Sequence, residues 1–468
     1  MNETELLARL RSHGQEHLWA FAAELAPEAR NRLAAQLAAT DFELLKRLHA
    51  ESRQSVAAID PKGIKPIRVK ELPKSLPEQA GWAEAARIGK EALRANRCAA
   101  LLVAGGQGSR LGFEHPKGMF PIGPVSGDSL FQIFAEKIRA RQRAAGAGPI
   151  PWYIMTSAGN RAETEAFFKQ HRYFGMKPED VTFFVQGTMP AIDAETGKAL
   201  LAGKDELFQS PNGHGGTLTA LAAEGVLADL ARRGRDLIYF FQVDNPFVEV
   251  LEPAFIGHHL RAGAEFSAKV VRKTEPNEKV GLVVLRGGRP EVIEYSDLPN
   301  ELAEARATDG GLAYWPGSIA IHIFSRGFLE RVAVAGLPWH FARKAVPFVD
   351  AAGVLQKPST PNAVKFEMFI FDSMPLAKQV CIVETDRHEE FQPVKNATGA
   401  DSPESVRKAM TRRAAAWLQT AGWDVATNAD GTPIVPVEIG PLAGLDAEDF
   451  AARGMTSRRL DGPTHFGE

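Results

Sequence analysis

Cysteine is almost missing from this chain of 468 residues: only Cys98 and Cys381 are present, and they stand far apart. That excludes a disulfide framework and any CxxC metal site, and it matches the usage of a reducing cytoplasm. An excess of one charge is missing too, since Lys+Arg number 55 against Asp+Glu 57, a formal net charge of −2. Such a balance excludes a dedicated binder of nucleic acid, which needs a basic stripe, and a disordered, self-repelling chain. No apolar run approaches the roughly 20 residues needed to cross a bilayer. The opening MNETELLARLRSHGQEH carries acidic residues and no apolar core, so it does not read as a secretion signal. Among 12 histidines there is no HExxH, and His388-Glu389-Glu390 reads as a polar turn. What remains is a cytoplasmic globular protein, 44% hydrophobic and 24% charged, with no membrane partner. At roughly 100–200 residues per domain it holds two to four structural units.

Three textures follow one another along the chain. Residues 1 to about 95 look helical. Leu18, Phe21, Ala22 and Leu25 fall on one helix face, Pro27 opens a second helix with Leu33 and Leu37 inward, and Asp41 caps a third carrying Phe42 and Leu45. The proline-spaced IDPKGIKPIRVKELPKSLPEQ (59–79) reads as an extended strap. From 96 to 391 strand and helix alternate. CAALLVA (98–104), WYIMT (152–156), VTFFV (181–185) and LIYFFQV (237–243) read as buried strands. One helix begins at Asp128 or Ser129 and carries Leu130, Phe131, Phe134 and Ile138; another follows Gly216 with Leu218, Leu221 and Leu227. This alternation predicts a mostly parallel α/β sheet with ligands outside the strands' carboxyl ends. VGLVVL, RGGRP and EVIEY form a hairpin, expected as an antiparallel insertion. Residues 392–468 hold one helix (about 402–420) and a strand-like IVPVEI (434–439), a small C-terminal domain.

The strongest chemical signal is LLVAGGQGSRLGFEHPKG, residues 101–118. A buried strand runs into Gly105, Gly106, Gln107 and Gly108, where missing Cβ atoms let backbone N–H groups approach a phosphate. Arg110 and Lys117 add a forked cation and a point charge that suit a triphosphate. The spacing is neither the GxGxxG of a dinucleotide fold nor the GxxxxGK[ST] of a Walker loop. Asp244, just past LIYFFQV, emerges at a strand's carboxyl end, a natural place for a Mg²⁺ ligand beside phosphates, with Asn245 in support.

GGQGSRLGFEHPKG closely resembles the signature GGQGTRLGxxxPKG of the UDP-N-acetylglucosamine branch of the eukaryotic-type UDP-sugar pyrophosphorylases. The resemblance continues in order through GQEHLWAF, IPWYIMTS, FFKQHRYFG, FFVQGTMPA, QVDNPFV, PNEKVGLVV, VIEYSDL, KFEMFIFD, FQPVKNA and VPVEIGPL, nearly the whole chain. It implies a Rossmann-like α/β nucleotidyltransferase domain with a mixed sheet, between an N-terminal helical region and a small C-terminal α+β domain. It also implies transfer of UMP from UTP to a sugar 1-phosphate, with Mg²⁺ and release of pyrophosphate.

By that resemblance Arg110 and Lys117 hold the UTP phosphates and Lys395 reaches them from the C-terminal side. Two like charges about 4 Å apart at an effective dielectric near 20 repel by about 4 kcal/mol, so such a lysine matters to rate. Gly105, Gly106, Gln107, Gly108, Gln186, Gly213 and His214 match nucleotide contacts. Gly215, Glu294, Gly317, Ser318, Lys365, Glu367 and Phe369 match sugar-side or hinge positions, Phe369 having core packing as its alternative. The branch pattern PDGNGG is here PNGHGG (211–216), and GNIANH is GSIAIH (317–322). His214, Ser318 and Ile321 therefore depart from it, and His214 is similar to the GHG of UDP-glucose and broad-specificity relatives. The resemblance favours N-acetylglucosamine 1-phosphate; glucose 1-phosphate or a broad range is the alternative. A non-catalytic nucleotide-sugar-binding protein is the reading from another class, opposed by the retention of Arg110, Lys117, Asp244 and Lys395.

Overall fold

The computed structural model describes residues 1–54, 59–454, 459–460 and 462–468. The chain forms two units that interleave in sequence. The smaller comprises Met1–Ala58, Gln186–Thr219 and Gly336–Asp372, and the larger Ile59–Val185, Ala220–Ala335 and Ser373–Glu468. Among the described residues no helix is long and apolar enough to cross a membrane.

The larger unit is built on a ten-stranded mixed sheet. Its strands are β1 Ile64–Pro66, β2 Cys98–Val103, β3 Trp152–Thr156, β4 Val181–Val185, β5 Leu237–Gln242, β6 Phe266–Arg272, β7 Leu282–Arg286, β8 Arg289–Ile293, β9 Pro316–Ser325 and β10 Val380–Glu384. The order is β1-β7-β9-β5-β2-β3-β4; β6 pairs with β9 and β10, and β8 with β7. The four apolar runs expected as strands become the parallel set β5, β2, β3 and β4. Apolar residues fill both faces of these strands because helices cover them. Helix Leu130–Ala145 is one such cover. Ser129 caps it by accepting from the Gln132 N–H (3.2 Å), and Phe131, Phe134 and Ile138 are fully buried. Helices Leu76–Arg94 and Pro253–Arg261 approach so closely that a Cβ on Gly89 or Gly257 would lie 1.8 Å from a backbone oxygen of the other.

Several expectations need correction here. The hairpin turns at Gly287 and Gly288, with φ of +57° and +81°, but β7 and β8 are no insertion. β7 extends the main sheet, meeting β9 at Leu282↔Gly317 and β1 along Ile64–Pro66. The strap is thus a sheet edge at Ile64–Pro66, and its last residues are already helix. A capping box between Ser75 and Glu78 starts Leu76–Arg94, with Pro77 in its first turn. The helix after Gly216 is two, Gly216–Ala223 and Val226–Arg232, separated by Gly225 at φ +75°. His388-Glu389-Glu390 is not a polar turn: it lies in helix Arg387–Glu390, and Glu390 is 1% exposed, paired with buried Lys269. The C-terminal segment has helix Pro403–Thr420 and a parallel pair, Val437–Ile439 with Thr464–Phe466. A local core of Leu418, Trp423, Val437 and Phe450 holds these together.

In the smaller unit Pro27–Ala39 and Phe42–Ser52 form as expected, Asp41 accepting from the Leu44 N–H at 2.9 Å. Leu18, Phe21 and Ala22 are buried, but through two 3₁₀ turns, Glu16–Trp19 and Ala22–Glu24, rather than one helix. The helix lies earlier, at Glu3–Ser12, closed by a capping box from Asn2. Here burial, not helical periodicity, placed the apolar residues. These elements share a core with Ile192, Val364 and Phe366, from a three-stranded sheet of Ile192–Asp193, Ala363–Glu367 and His340–Lys344.

Candidate active site

In the larger unit β2 ends beside Ala104 and the chain enters the glycine loop. The loop closes on itself: the Lys117 N–H donates to the Gly106 carbonyl (3.1 Å) and the Gly108 N–H to that of His115 (2.9 Å). Its glycines have different physical reasons. A Cβ on Gly108 would sit 2.8 Å from the Phe113 carbonyl, and Gly112 turns at φ +70°, but nothing lies within 4 Å of where a Cβ on Gly106 would be. Gly106 is exposed, so its bare backbone faces open space in which a ligand is free to approach. Gly118 of the PKG run is a packing residue, because its Cβ would fall 2.1 Å from the Phe131 ring. That contact seats the backbone beside Lys117 against the fully buried Phe131 ring.

β5 runs parallel to β2 in the register Gln242↔Val103, which carries Asp244 to the same sheet end as the glycine loop. Burial holds the Lys117 ammonium below the usual lysine range. The Asp244 carboxylate opposes that shift, while the Lys395 and Arg110 cations add to it. The four predicted charged residues therefore share one electrostatic neighbourhood. Lys395 arrives on a segment pinned to Asp244: the Val394 N–H donates to the Asp244 carbonyl at 2.7 Å. Buried Asn245 reinforces the joint. Its Nδ2 donates to the Glu390 carbonyl (2.8 Å) and its Oδ1 accepts from the Gln392 N–H (3.1 Å).

Gly317, Ser318 and Glu294 gather on the β7–β9 side of the same unit. The Ser318 N–H donates to the Gly281 carbonyl (2.8 Å), and a Cβ on Gly281 would lie 3.7 Å from Glu294 Oε1. A Cβ on Gly317 would meet Val280 at 2.7 Å. Three residues on, Ala320 takes φ +56° where the β6–β9 register shifts, a bulge that re-aims the strand after Ser318.

The smaller unit brings the rest together. Gln186 is buried, and its amide donates to the Gly213 carbonyl (2.6 Å). Gly213 turns at φ +81°, and its Cβ would meet the Met368 carbonyl oxygen at 2.3 Å. The Gly215 N–H donates to that oxygen (2.7 Å), and the Met368 N–H to the Asn212 carbonyl (2.8 Å). The Ile370 N–H donates to His214 Nδ1 (3.1 Å), which places any ring proton of the neutral imidazole on Nε2. Burial, with His340 nearby, lowers the His214 pKa to about 4, so this ring is neutral at pH 7. Phe369 is not core. It is half-buried, with His214 stacked on it at 5.3 Å and His340 against it at 4.4 Å. Lys365 and Glu367 share the strand face opposite buried Val364 and Phe366, and the Lys365 ammonium lies 5.0 Å from the Phe208 ring.

Sequence reasoning missed Asn212, His340, Lys269 and Glu390. Lys269 left a legible trace, a lysine inside the apolar strand FSAKVVR; an isolated His340 left none.

Residues 40–422 match the profile of a family described as UTP–glucose-1-phosphate uridylyltransferase. The chain belongs to this family. It is 41% identical over 443 residues to the human UDP-N-acetylhexosamine pyrophosphorylase-like protein 1, covering 90% of this chain and 86% of that protein. It is 44% identical over 349 residues to the UDP-N-acetylglucosamine pyrophosphorylase of Saccharomyces cerevisiae, covering 72% of each. A crystal structure of the Trypanosoma brucei uridine diphosphate N-acetylglucosamine pyrophosphorylase in complex with inhibitor superposes with a TM-score of 0.82 at 27% identity. That match covers 97% of this chain and 95% of that one. Membership agrees with the α/β sheet expected from strand–helix alternation and with the nucleotidyltransferase domain that the resemblance implied.

Proposed function

We propose that the protein transfers UMP from UTP to N-acetylglucosamine 1-phosphate, releasing pyrophosphate. The observation that carries this reading is the set of charges about Lys117, namely the Asp244 carboxylate and the Arg110 and Lys395 cations, at the carboxyl ends of parallel strands. In-line attack of a sugar phosphate oxygen on the α-phosphorus joins two anions. Catalysis is then chiefly neutralisation and positioning, and no covalent nucleophile is needed. Lys117, held in place by Gly118 on Phe131, and Arg110 bind the triphosphate, and Lys395 offsets charge on the reacting phosphates. Exposed Gly106 gives those phosphates access to backbone; Gly105, Gln107 and Gly108 shape the same loop.

Asp244 fits a hard divalent cation. It is a half-buried carboxylate that accepts no side-chain hydrogen bond from the described residues, and Mg²⁺ is commonly held by one or two carboxylates plus substrate phosphates. Bound there, Mg²⁺ supplies charge neutralisation and orientation of phosphate oxygens. To the smaller unit we assign the uridine-reading set, Gln186, Gly213 and His214, with Gly215, Lys365, Glu367 and Phe369 toward the sugar. Glu294, Gly317 and Ser318 are the larger unit's sugar-side groups. We place the enzyme in the cytoplasm, in line with its cysteine usage.

Glucose 1-phosphate is the second reading, favoured by His214, Ser318 and Ile321. The deciding test is pyrophosphate release from UTP with a panel of hexose and N-acetylhexosamine 1-phosphates. Preference for the N-acetylglucosamine ester is expected, preference for glucose reverses the sugar assignment, and no release with any sugar overturns the enzymatic reading.

A further inference from the structure

The larger unit carries a cationic cavity of about 390 Å³ that none of Arg110, Lys117, Asp244 or Lys395 lines. Helix Leu130–Ala145 presents Arg139, Gln142 and Arg143 to it from one face. Lys177 lines it from the opposite loop, exposed and with no side-chain partner among the described residues. Two of the lining side chains are carboxylates. Asp180 is neutralised by Arg233 at 3.3 Å, which leaves Glu468 to answer the cavity's cations. Its two oxygens are divided between guanidiniums, Oε2 lying 3.2 Å from Arg139 Nη2 and Oε1 3.9 Å from Arg143 Nη1. The Glu468 side chain is 61% exposed, so this pair is screened and weak. One carboxylate thus spans two forked cations beside an unpaired lysine.

A second observation concerns the turn that leads into the cavity wall at Gly175. Arg172, Tyr173 and Phe174 take φ of +50°, +52° and +51°, and Gly175 follows at +79°. L residues enter this region singly; three in succession is a costly left-handed turn, and such strain clusters at ligand clamps. Arg139 holds the turn in place, its Nη1 donating to the Phe174 carbonyl at 3.1 Å. A Cβ on Gly175 would lie 2.8 Å from the Arg139 Cζ, so the glycine admits the guanidinium. The side chain that meets Glu468 therefore also supports the strained segment.

We propose that this cavity binds a small phosphorylated organic molecule, its phosphate replacing the Glu468 carboxylate between Arg139 and Arg143. Guanidiniums pair with phosphate through two parallel bonds, and a dianion answers three cations better than one carboxylate does. The volume suits a hexose phosphate, whose uncharged body meets Gln142 and Met176. No covalent step is involved, and the proposal does not rest on the transfer reaction.

The test is calorimetric titration of the full chain with a hexose 6-phosphate, which lacks the 1-phosphate that the transfer needs, and separately with inorganic phosphate. Glu468→Gln removes the internal competitor and is expected to tighten hexose 6-phosphate binding about two- to fivefold, the factor that corresponds to an exposed ion pair. Arg139→Gln with Arg143→Gln is expected to weaken it at least about tenfold, the loss of charge-assisted bonds. Because Arg139 supports the turn, Arg143→Gln with Lys177→Gln serves as a second variant, with a loss in the same direction. Lys117→Gln should bind as the native protein does. Unchanged affinity in both cavity variants, or loss of binding in Lys117→Gln, overturns the site. Inorganic phosphate binding as tightly as the ester overturns the organic ligand.

Discussion

The larger unit sets the Asp244 carboxylate and the Arg110 and Lys395 cations about Lys117 at the ends of parallel strands. The smaller unit orders Gln186, Asn212, Gly213 and His214 with backbone hydrogen bonds and a ring stack. The first arrangement needs rigid support, because like charges held near one another repel. It receives that support from Phe131 behind Gly118, from the β2–β5 register and from Asn245. The second uses carbonyl oxygens, amides and a neutral imidazole, which pack without mutual repulsion. Backbone bonds and the Gln186 and His214 side chains hold this loop together, and His214 is a departure from the branch pattern. Under the proposed function, charge handling falls to the larger unit and selection to the smaller.

Four measurements would break or sharpen this contrast. Asp244→Ala should lower kcat by about a hundredfold to a thousandfold, the scale for removing one placed charge-stabilising group, with circular dichroism unchanged. Gln186→Ala in the smaller unit should instead raise the KM for UTP with a lesser effect on kcat. An equal loss of kcat in both would sink the division of labour. Gly118→Ala forces a Cβ onto the Phe131 ring and should cost about 1–3 kcal/mol in a denaturant titration; a neutral result would mean that Lys117 is not seated by that contact. Asn245→Ala breaks the joint carrying Lys395 and should lower kcat about tenfold with the sugar KM unchanged. A change in sugar KM alone would assign Asn245 to binding.

The smallest effect concerns pH. His214 titrates near 4 when folded, against an ordinary 6.5, so from pH 6.5 down to 4 the unfolded chain takes up the proton more readily. The stabilisation from the neutral ring is fully present above 6.5 and lost as the pH falls through that window. His258 and His259, in the larger unit, behave alike. Melting temperatures across this window should fall less for His214→Asn than for the native protein. Equal slopes would remove His214 as a contributor.

The parallel core was legible because its strands are continuous apolar runs, which a sheet covered on both faces demands. Helices with strong caps, Asp41 and Ser129, were legible for a local reason: the cap lies within three residues of the N–H it satisfies. Illegible features depended on distant partners. Nothing near Ile64–Pro66 announces that Leu282–Arg286 pairs with it, and the Leu18–Leu25 spacing imitated a helix because burial alone set it. His388-Glu389-Glu390 reads as a polar turn in the sequence, and only Lys269, far earlier in the chain, makes Glu390 a buried ion-pair partner.

By itself the sequence determined the kind of chemistry: a glycine loop with placed cations, a strand-end carboxylate, and motifs in family order. These are local properties of residue type and spacing. Only the tertiary structure decided which residues act as one group. It set Lys117 among Asp244, Lys395 and Arg110, made Phe369 the middle of a ring stack, and left Arg139 between a strained turn and an exposed carboxylate. The physical reason is that charge repulsion, burial and packing act through space, between residues that sequence order separates.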